Sequence, residues 1–334
     1  MLQESVLSVD PSQILLSVPG KTFLVGEYLA LDGGPSILLA TAPRFELSLA
    51  SLKSCSLPGG QAHSPELRRR VRRSLPFAKA SPAGRFVARH REIFADLDLD
   101  FYDPHAGRGG LGASSAQFVL VYMIERVLKN PLRQFELRDF DWSLLLDEYR
   151  ACAWNGEGRA PSGADVVAQI CGGITHFNNT TFCASSLSWT LPDVAFTLIR
   201  TGVKLATHEH LKTEPVLPCD ELRALVSEVT TSLQSAQTEK FISGVNSVAE
   251  VLNSAGLTAE GTLHLLSEIR REKGLALAAK GCGAMGADVI CVVHEVAQSD
   301  SLRQWVVDRG LSICGSLADL DQGLRIAPSV RFAP

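Results

Sequence analysis

Four short segments carry residue types that can handle an anion. The densest is GRGGLGASSAQF, from Gly107 to Phe118. Glycine lets backbone N–H groups approach a ligand closely. The apolar run that follows reads as a helix, whose first turn offers unpaired N–H donors and a partial positive charge. Ser114 or Ser115 stands ready to cap that helix, or to offer a hydroxyl to a metal ion such as Mg2+. The spacing matches neither G-x-x-x-x-G-K-[ST] nor G-x-G-x-x-G. Upstream, VPGKTFLVGEY places Lys21 just after a Pro-Gly turn, where its ammonium either neutralises a phosphate or stands in solvent. Downstream come PSGADVVAQICGG, in which Asp165 can cap a short helix, and KGCGAMGADVICVV, which reads as a tight turn entering a strand.

The elements that must hold these segments can be read from hydrophobic period and punctuation. The first third is rich in β-branched and aromatic runs broken by Pro-Gly and Gly-Gly, and FELSLASL alternates as a half-buried strand does. SPELRRRVRRSL, residues 64–75, reads as a basic helix start. SSAQFVLVYMIERVLKN predicts one long buried helix that Pro131 helps to stop, and DWSLLLDEYRACAW another. The segment from Ser162 predicts a short helix ended by Gly172-Gly173, followed by a strand. TTFCASSLSW and LPDVAFTLIRTG read as strands. Helices are expected around 219–234, 239–254 and 258–274, then a strand at GADVICVVHE, a helix at 296–309 and further strands. This mixed order predicts an α+β chain of two domains, 1–187 and 188–334.

Composition narrows the function classes. The sequence of 334 residues is 46% hydrophobic and 20% charged, which suits a well-packed globular protein. A formal net charge of −4 argues against a broad grip on nucleic acid. The eight cysteines include no C-x-x-C pair and read as reduced core residues. The first residues carry no signal-peptide pattern and no apolar run is long enough for a bilayer, so the expectation is a cytoplasmic protein without a membrane partner.

The four segments in this order resemble the GHMP small-molecule kinase family. The resemblance runs from about Pro19 to Val293, and its most specific part is the loop before the long helix. It implies a ribosomal protein S5 domain 2-like N-terminal domain and a ferredoxin-like C-terminal domain, with the active site between them. It implies ATP and Mg2+ as cofactors and phosphoryl transfer to a small acceptor, by a monomer or homodimer. Gly109, Gly110, Leu111, Gly112, Ala113, Ser114 and Ser115 would wrap the ATP phosphates, with Gly283, Ala284 and Gly286 of the last segment. Ser114 matches the usual metal and phosphate contact, and Ser115 is the fallback if the loop is shifted by one. Lys21 and Asp165 would be the catalytic pair, and Lys21, Glu27, Tyr28, Ser162 and Gly163 would face the acceptor. Asp165 would act as general base toward a hydroxyl, and Lys21 would compensate charge in the transition state.

The match has departures. Where mevalonate kinases carry a metal-binding glutamate this chain has Trp154, and Glu157, the nearest acid, either replaces that ligand or is simply solvated. Met285 and Ala287 interrupt a usual run of glycines, and a Cβ at either place restricts positive φ. GEY and Asp288 are similar to the phosphomevalonate kinase branch, whose acceptor brings a second phosphate. Candidate grips on it are Arg68, Arg69, Arg70, Arg72, Arg73, Lys79, Arg85, Arg89, His90 and Arg91, though such a run is usually a solvated helix face. The leading expectation is therefore phosphomevalonate as acceptor. The alternatives are mevalonate or another hydroxyl acceptor, and a nucleotide-binding protein with weakened catalysis.

Overall fold

A computed structural model describes residues 13–51, 75–130, 136–202 and 217–328. A long hairpin comes first: β1 (Gln13–Val25) and β2 (Pro35–Ser51) pair antiparallel around a 3-10 turn at Leu29–Asp32. Then come α1 (Pro82–Arg89), α2 (Arg91–Phe94), β3 (Leu97–Tyr102), α3 (Ala113–Lys129), α4 (Trp142–Ala153) and α5 (Ala164–Cys171). β4 (Ile174–Asn178), β5 (Cys183–Leu187) and β6 (Val194–Arg200) lead to α6 (Cys219–Gln234), α7 (Thr238–Ser254) and α8 (Glu260–Arg271). β7 (Ala278–Cys282), β8 (Val289–Glu295), α9 (Ser299–Asp308), β9 (Ser312–Ser316) and β10 (Arg325–Pro328) follow. The α+β expectation holds, and residues 64–74 of the basic segment, with Arg68, Arg69, Arg70, Arg72 and Arg73, lie outside the described residues.

Two sheets organise these elements. The first has the order β10-β1-β2-β4-β5, with β3 also pairing β2; the second has the order β7-β8-β6-β9. Most of the first sheet precedes residue 188, but β10 returns to it and pairs with β1 across Ile14–Ser17. A strict cut at 187/188 would therefore separate β10 from its partner.

Burial follows from period. On one face of the first sheet Leu16, Val18, Phe45 and Leu47 pack with Phe86 of α1, Phe118 and Tyr122 of α3 and Val166 and Val167 of α5. The other face contributes Leu24, Ile37 and Leu39 to a core shared with Phe196, Leu198, Val289, Cys291 and Val293 of the second sheet, and with Val226 and Phe241 of α6 and α7. The alternate residues of β6 and β8, Ile199, Ile290 and Val292, point the other way, onto Ile269 of α8 and Trp305 of α9. Because successive side chains alternate in face, a strand covered on both sides must be apolar throughout, which is why VICVV shows no polar alternation. The two halves thus share one apolar core, and the loop before α3 is caught in it.

Candidate active site

Leu111 is the anchor of the glycine loop. Its side chain is buried in the core between the two sheets, and its carbonyl accepts a hydrogen bond from the Lys21 N–H at 3.0 Å. The glycines around it are there for close approach. A Cβ on Gly110, at φ 90°, would lie 2.7 Å from Val289 Cγ2, and one on Gly112, at φ 81°, would lie 2.8 Å from Lys21 Cε. Gly112 is also the residue from which α3 starts, and no side chain caps that helix. The serine cap allowed by the sequence is therefore not made. Ser115 is buried and donates its hydroxyl to the Gly112 carbonyl at 2.9 Å, whereas Ser114 is exposed on the first turn beside Ala113. Of the two serines, Ser114 is the one turned to solvent.

Lys21, the loop and Asp165 are drawn together by a residue that the motif reading passed over. Gln169 lies on α5, one turn beyond Asp165, and is fully buried. Its Nε2 donates to the carbonyls of Pro19 and Gly112, both at 3.1 Å. One amide thus ties the turn that carries Lys21 to the start of α3 and to the helix that carries Asp165. The signal was a lone polar residue inside the apolar stretch VVAQI. Lys21 is half-buried, with its ammonium 5.2 Å from the centre of the Phe23 ring. Gly163, at φ 76°, starts α5; a Cβ there would fall 2.3 Å from Leu146 Cδ2, so the close packing of α4 requires glycine. Asp165 sits inside the first turn, not at the cap, and Ser162 Oγ accepts from the Ala164 N–H at 3.3 Å. Burial, and then the Asp165 charge, push the Tyr149 phenol well above its usual range.

Glu27 and Tyr28 are placed differently from an acceptor-facing pair. Glu27 is buried and its Oε1 meets Lys280 Nζ of β7 at 2.7 Å. Burial opposes the charge on Lys280, but the Glu27 carboxylate outweighs it and holds the ammonium above its ordinary value. Tyr28 Oη accepts from the Met285 N–H at 2.8 Å, and burial raises its pKa to about 12. Both residues fasten the first motif to the last. In that last segment Met285 adopts φ 54° in spite of its Cβ, whereas Ala287 is right-handed at φ −80°, so only Met285 carries the backbone strain expected of both. Gly281 and Gly286 cross so closely that a Cβ on Gly281 would fall 2.6 Å from Gly286 Cα, leaving no room for a side chain at either; Gly283, next to Ala284, faces open space.

Glu157 is exposed. Its carboxylate accepts from Asn155 Nδ2 at 3.1 Å within its own loop. Among the described residues no group of three or more acidic, histidine or cysteine side chains could hold a metal ion. Arg85 and Arg89 are spent on the last carbonyls of α4, at 3.2 Å from Cys152 O and 2.7 Å from Ala151 O. His90 packs against Phe86 with the rings tilted by 35° and their centres 4.4 Å apart.

This arrangement, two α+β halves with a glycine loop and an uncapped helix start between them, is the two-domain GHMP kinase fold, which solved structures share over nearly their full length. Streptococcus pneumoniae phosphomevalonate kinase superposes with a TM-score of 0.65 at 17% identity, covering 91% of this chain and 99% of that one. A Lin0012 protein from Listeria innocua gives 0.69 at 14% identity, over 94% and 99%. Lactococcus lactis galactokinase, solved with galactose, gives 0.64 at 11%, over 96% of each chain. No protein-family model matches the sequence, and no curated protein does. No helix among the described residues is long and apolar enough to cross a membrane.

Proposed function

We propose that this chain is an ATP-dependent small-molecule kinase of the GHMP kind, transferring the γ-phosphoryl group to an acceptor, with phosphomevalonate the first candidate. The observation that carries the reading is the Gln169 amide, which brings the elements of Lys21, Ser114 and Asp165 to one place. The uncapped start of α3 offers N–H donors to phosphate oxygens. Phosphoryl transfer asks mainly for positioning and charge compensation. Lys21, packed against Gly112, supplies the cation; the loop from Gly109 to Ser115 supplies the cradle.

Mg2+ keeps several waters and takes phosphate oxygens, so it needs few protein ligands. The exposed hydroxyl of Ser114 fits that demand. Glu157, turned to Asn155, would have to leave its present hydrogen bond to join. When bound, the ion would neutralise phosphate charge.

Asp165 distinguishes two acceptor classes. A hydroxyl must lose its proton, and a positioned carboxylate contributes about 10²–10⁴-fold there. A phosphate is already an anion and needs charge neutralisation instead. One observation favours the hydroxyl alternative, mevalonate among others: Arg85 and Arg89, two of the cations expected to grip an acceptor phosphate, are occupied by α4 carbonyls. The deciding experiment is a coupled assay of ADP release over mevalonate, phosphomevalonate, homoserine and galactose, with Asp165→Asn in parallel. Turnover on phosphomevalonate with modest loss in the variant supports the first reading. Turnover on a hydroxyl acceptor, abolished in the variant, supports the second. ATP binding without ADP release on any acceptor would replace both with a nucleotide-binding role.

A further inference from the structure

A cavity of about 560 Å³ flanks the glycine loop on its β9 side, lined by the loop residues His105 and Arg108, by Arg200 at the end of β6, and by Ser312 and Asp319. Neither Lys21 nor Ser114 lines it, so it is separate from the cradle described above. Arg200 is the unusual member. It is only 9% exposed, it ends a largely apolar strand, and its Nη1 donates to the Gly109 carbonyl at 2.9 Å. Among the described residues no carboxylate pairs with it or with Arg108; Asp319, on the same wall, accepts from Ser316 Oγ at 2.6 Å instead. A buried guanidinium without a counter-charge is costly, and an oxyanion in the cavity would relieve that cost. The planar fork of arginine matches phosphate oxygens in pairs, and the volume suits a metabolite-sized ligand. Burial, and then the charge of Arg200, push the His105 imidazole down to about 4. It is therefore neutral near pH 7, leaving the two arginines as the cations of a lining that also carries Asp319.

We propose that this cavity is a second site, for a phosphate-bearing ligand, whose occupancy is felt by the glycine loop through the Arg200–Gly109 hydrogen bond. A ligand that draws on Arg200 competes with, or stiffens, the contact that holds Gly109. Its binding and binding at the loop are therefore coupled, by the same factor in both directions. This does not depend on the identity of the acceptor, nor on turnover.

The test is calorimetric titration of the full chain with inorganic phosphate and, separately, with glycerol 3-phosphate, together with amide hydrogen exchange over 104–112 and 312–315. Three variants sort the sites. Arg108→Ala removes an exposed side chain from the rim; Ser312→Glu sets a carboxylate opposite Arg200, its partner in the β6–β9 ladder; Ser114→Ala alters the helix start. The expected result is a saturable site, distinct from any binding at the helix start, weakened about tenfold or more by Arg108→Ala and by Ser312→Glu and unchanged by Ser114→Ala, with slower exchange at 109–112 when it is filled. Tighter binding of glycerol 3-phosphate would assign the site to an organic phosphate, and equal binding to the free ion. Absence of saturable binding overturns the proposal. So does binding that Ser114→Ala abolishes while Arg108→Ala retains it, since the anion would then sit on the helix start.

Discussion

The loop before α3 and the loop between β7 and β8 are both strings of small residues entering regular structure, yet their backbone groups have different fates. In the β7–β8 loop the N–H groups of Met285, Gly286 and Ala287 go to Tyr28 Oη and to the carbonyls of Gly283 and Ala284. The carbonyls of the same three residues accept from the Ala259 N–H, Thr262 Oγ1 and Thr201 Oγ1. Before α3, carbonyls are used up by Lys21, Gln169 and Arg200, while the helix start has no side chain on its donors. Glycine at Gly286 serves a backbone crossing; glycine at Gly112 serves the approach of a lysine. One loop is a fastening and the other leaves the donors of a helix start uncapped, and composition alone does not separate them. The difference lies in which groups are left over.

The comparison breaks first at the fastening. Glu27→Gln should leave Lys280 as an uncompensated buried charge and cost about 3–5 kcal/mol, read as a lower urea midpoint at unchanged m-value. A loss under about 1 kcal/mol would mean that the ion pair does not hold the β7–β8 loop in place.

The side of the loop before α3 is probed by pH. The His105 imidazole falls from 6.5 to about 4 in the folded chain. Below pH 6.5 the unfolded chain takes up a proton that the folded one refuses, so stability falls as pH drops from 6.5 toward 4. The full effect is about 3 kcal/mol at most. Urea midpoints at pH 7 and pH 5 should differ more in the wild-type chain than in His105→Asn, and parallel shifts would contradict the assignment.

Smaller effects separate the serines. Ser114→Ala should weaken nucleotide binding by about tenfold and leave the melting temperature unchanged. Ser115→Ala, which removes the bond to Gly112, should cost about 1 kcal/mol of stability. If the two serines exchange these behaviours, the loop is shifted by one residue. The smallest effect concerns Met285. A left-handed residue costs roughly 1 kcal/mol unless it is glycine or asparagine, so Met285→Asn should be about 1 kcal/mol more stable than Met285→Ile.

Much of this architecture is visible in the sequence because period and punctuation act locally. VICVV and SSAQFVLVYMIERVLK declare a doubly covered strand and a helix with little exposed surface, and Gly172-Gly173 marks the end of α5. The loop motif before α3 is legible for the same reason. What escapes reading is set by contacts between distant residues. Gln169 appears in sequence only as a single polar residue in an apolar run and Arg200 only as the end of a strand, and their carbonyl partners lie on other elements. Glu27 and Tyr28 sit beside Lys21 in the motif, yet the shared core turns them toward Lys280 and Met285. The contrast between Met285 and Ala287 is likewise one of backbone angle, which composition does not carry.

β10 has a consequence for the order in which the molecule can be made. Its partner β1 stands near the other end of the described residues, and the pairing Ile14↔Pro328 spans almost all of them. At ribosomal speeds of about 5–20 residues per second, that interval lasts on the order of tens of seconds. Throughout it the outer edge of β1 at Ile14–Ser17 has no β10 to pair with, an open template for strand addition by a neighbouring nascent chain. The first sheet to begin is thus among the last to close, and the half that carries the glycine loop depends on the other for its finished edge.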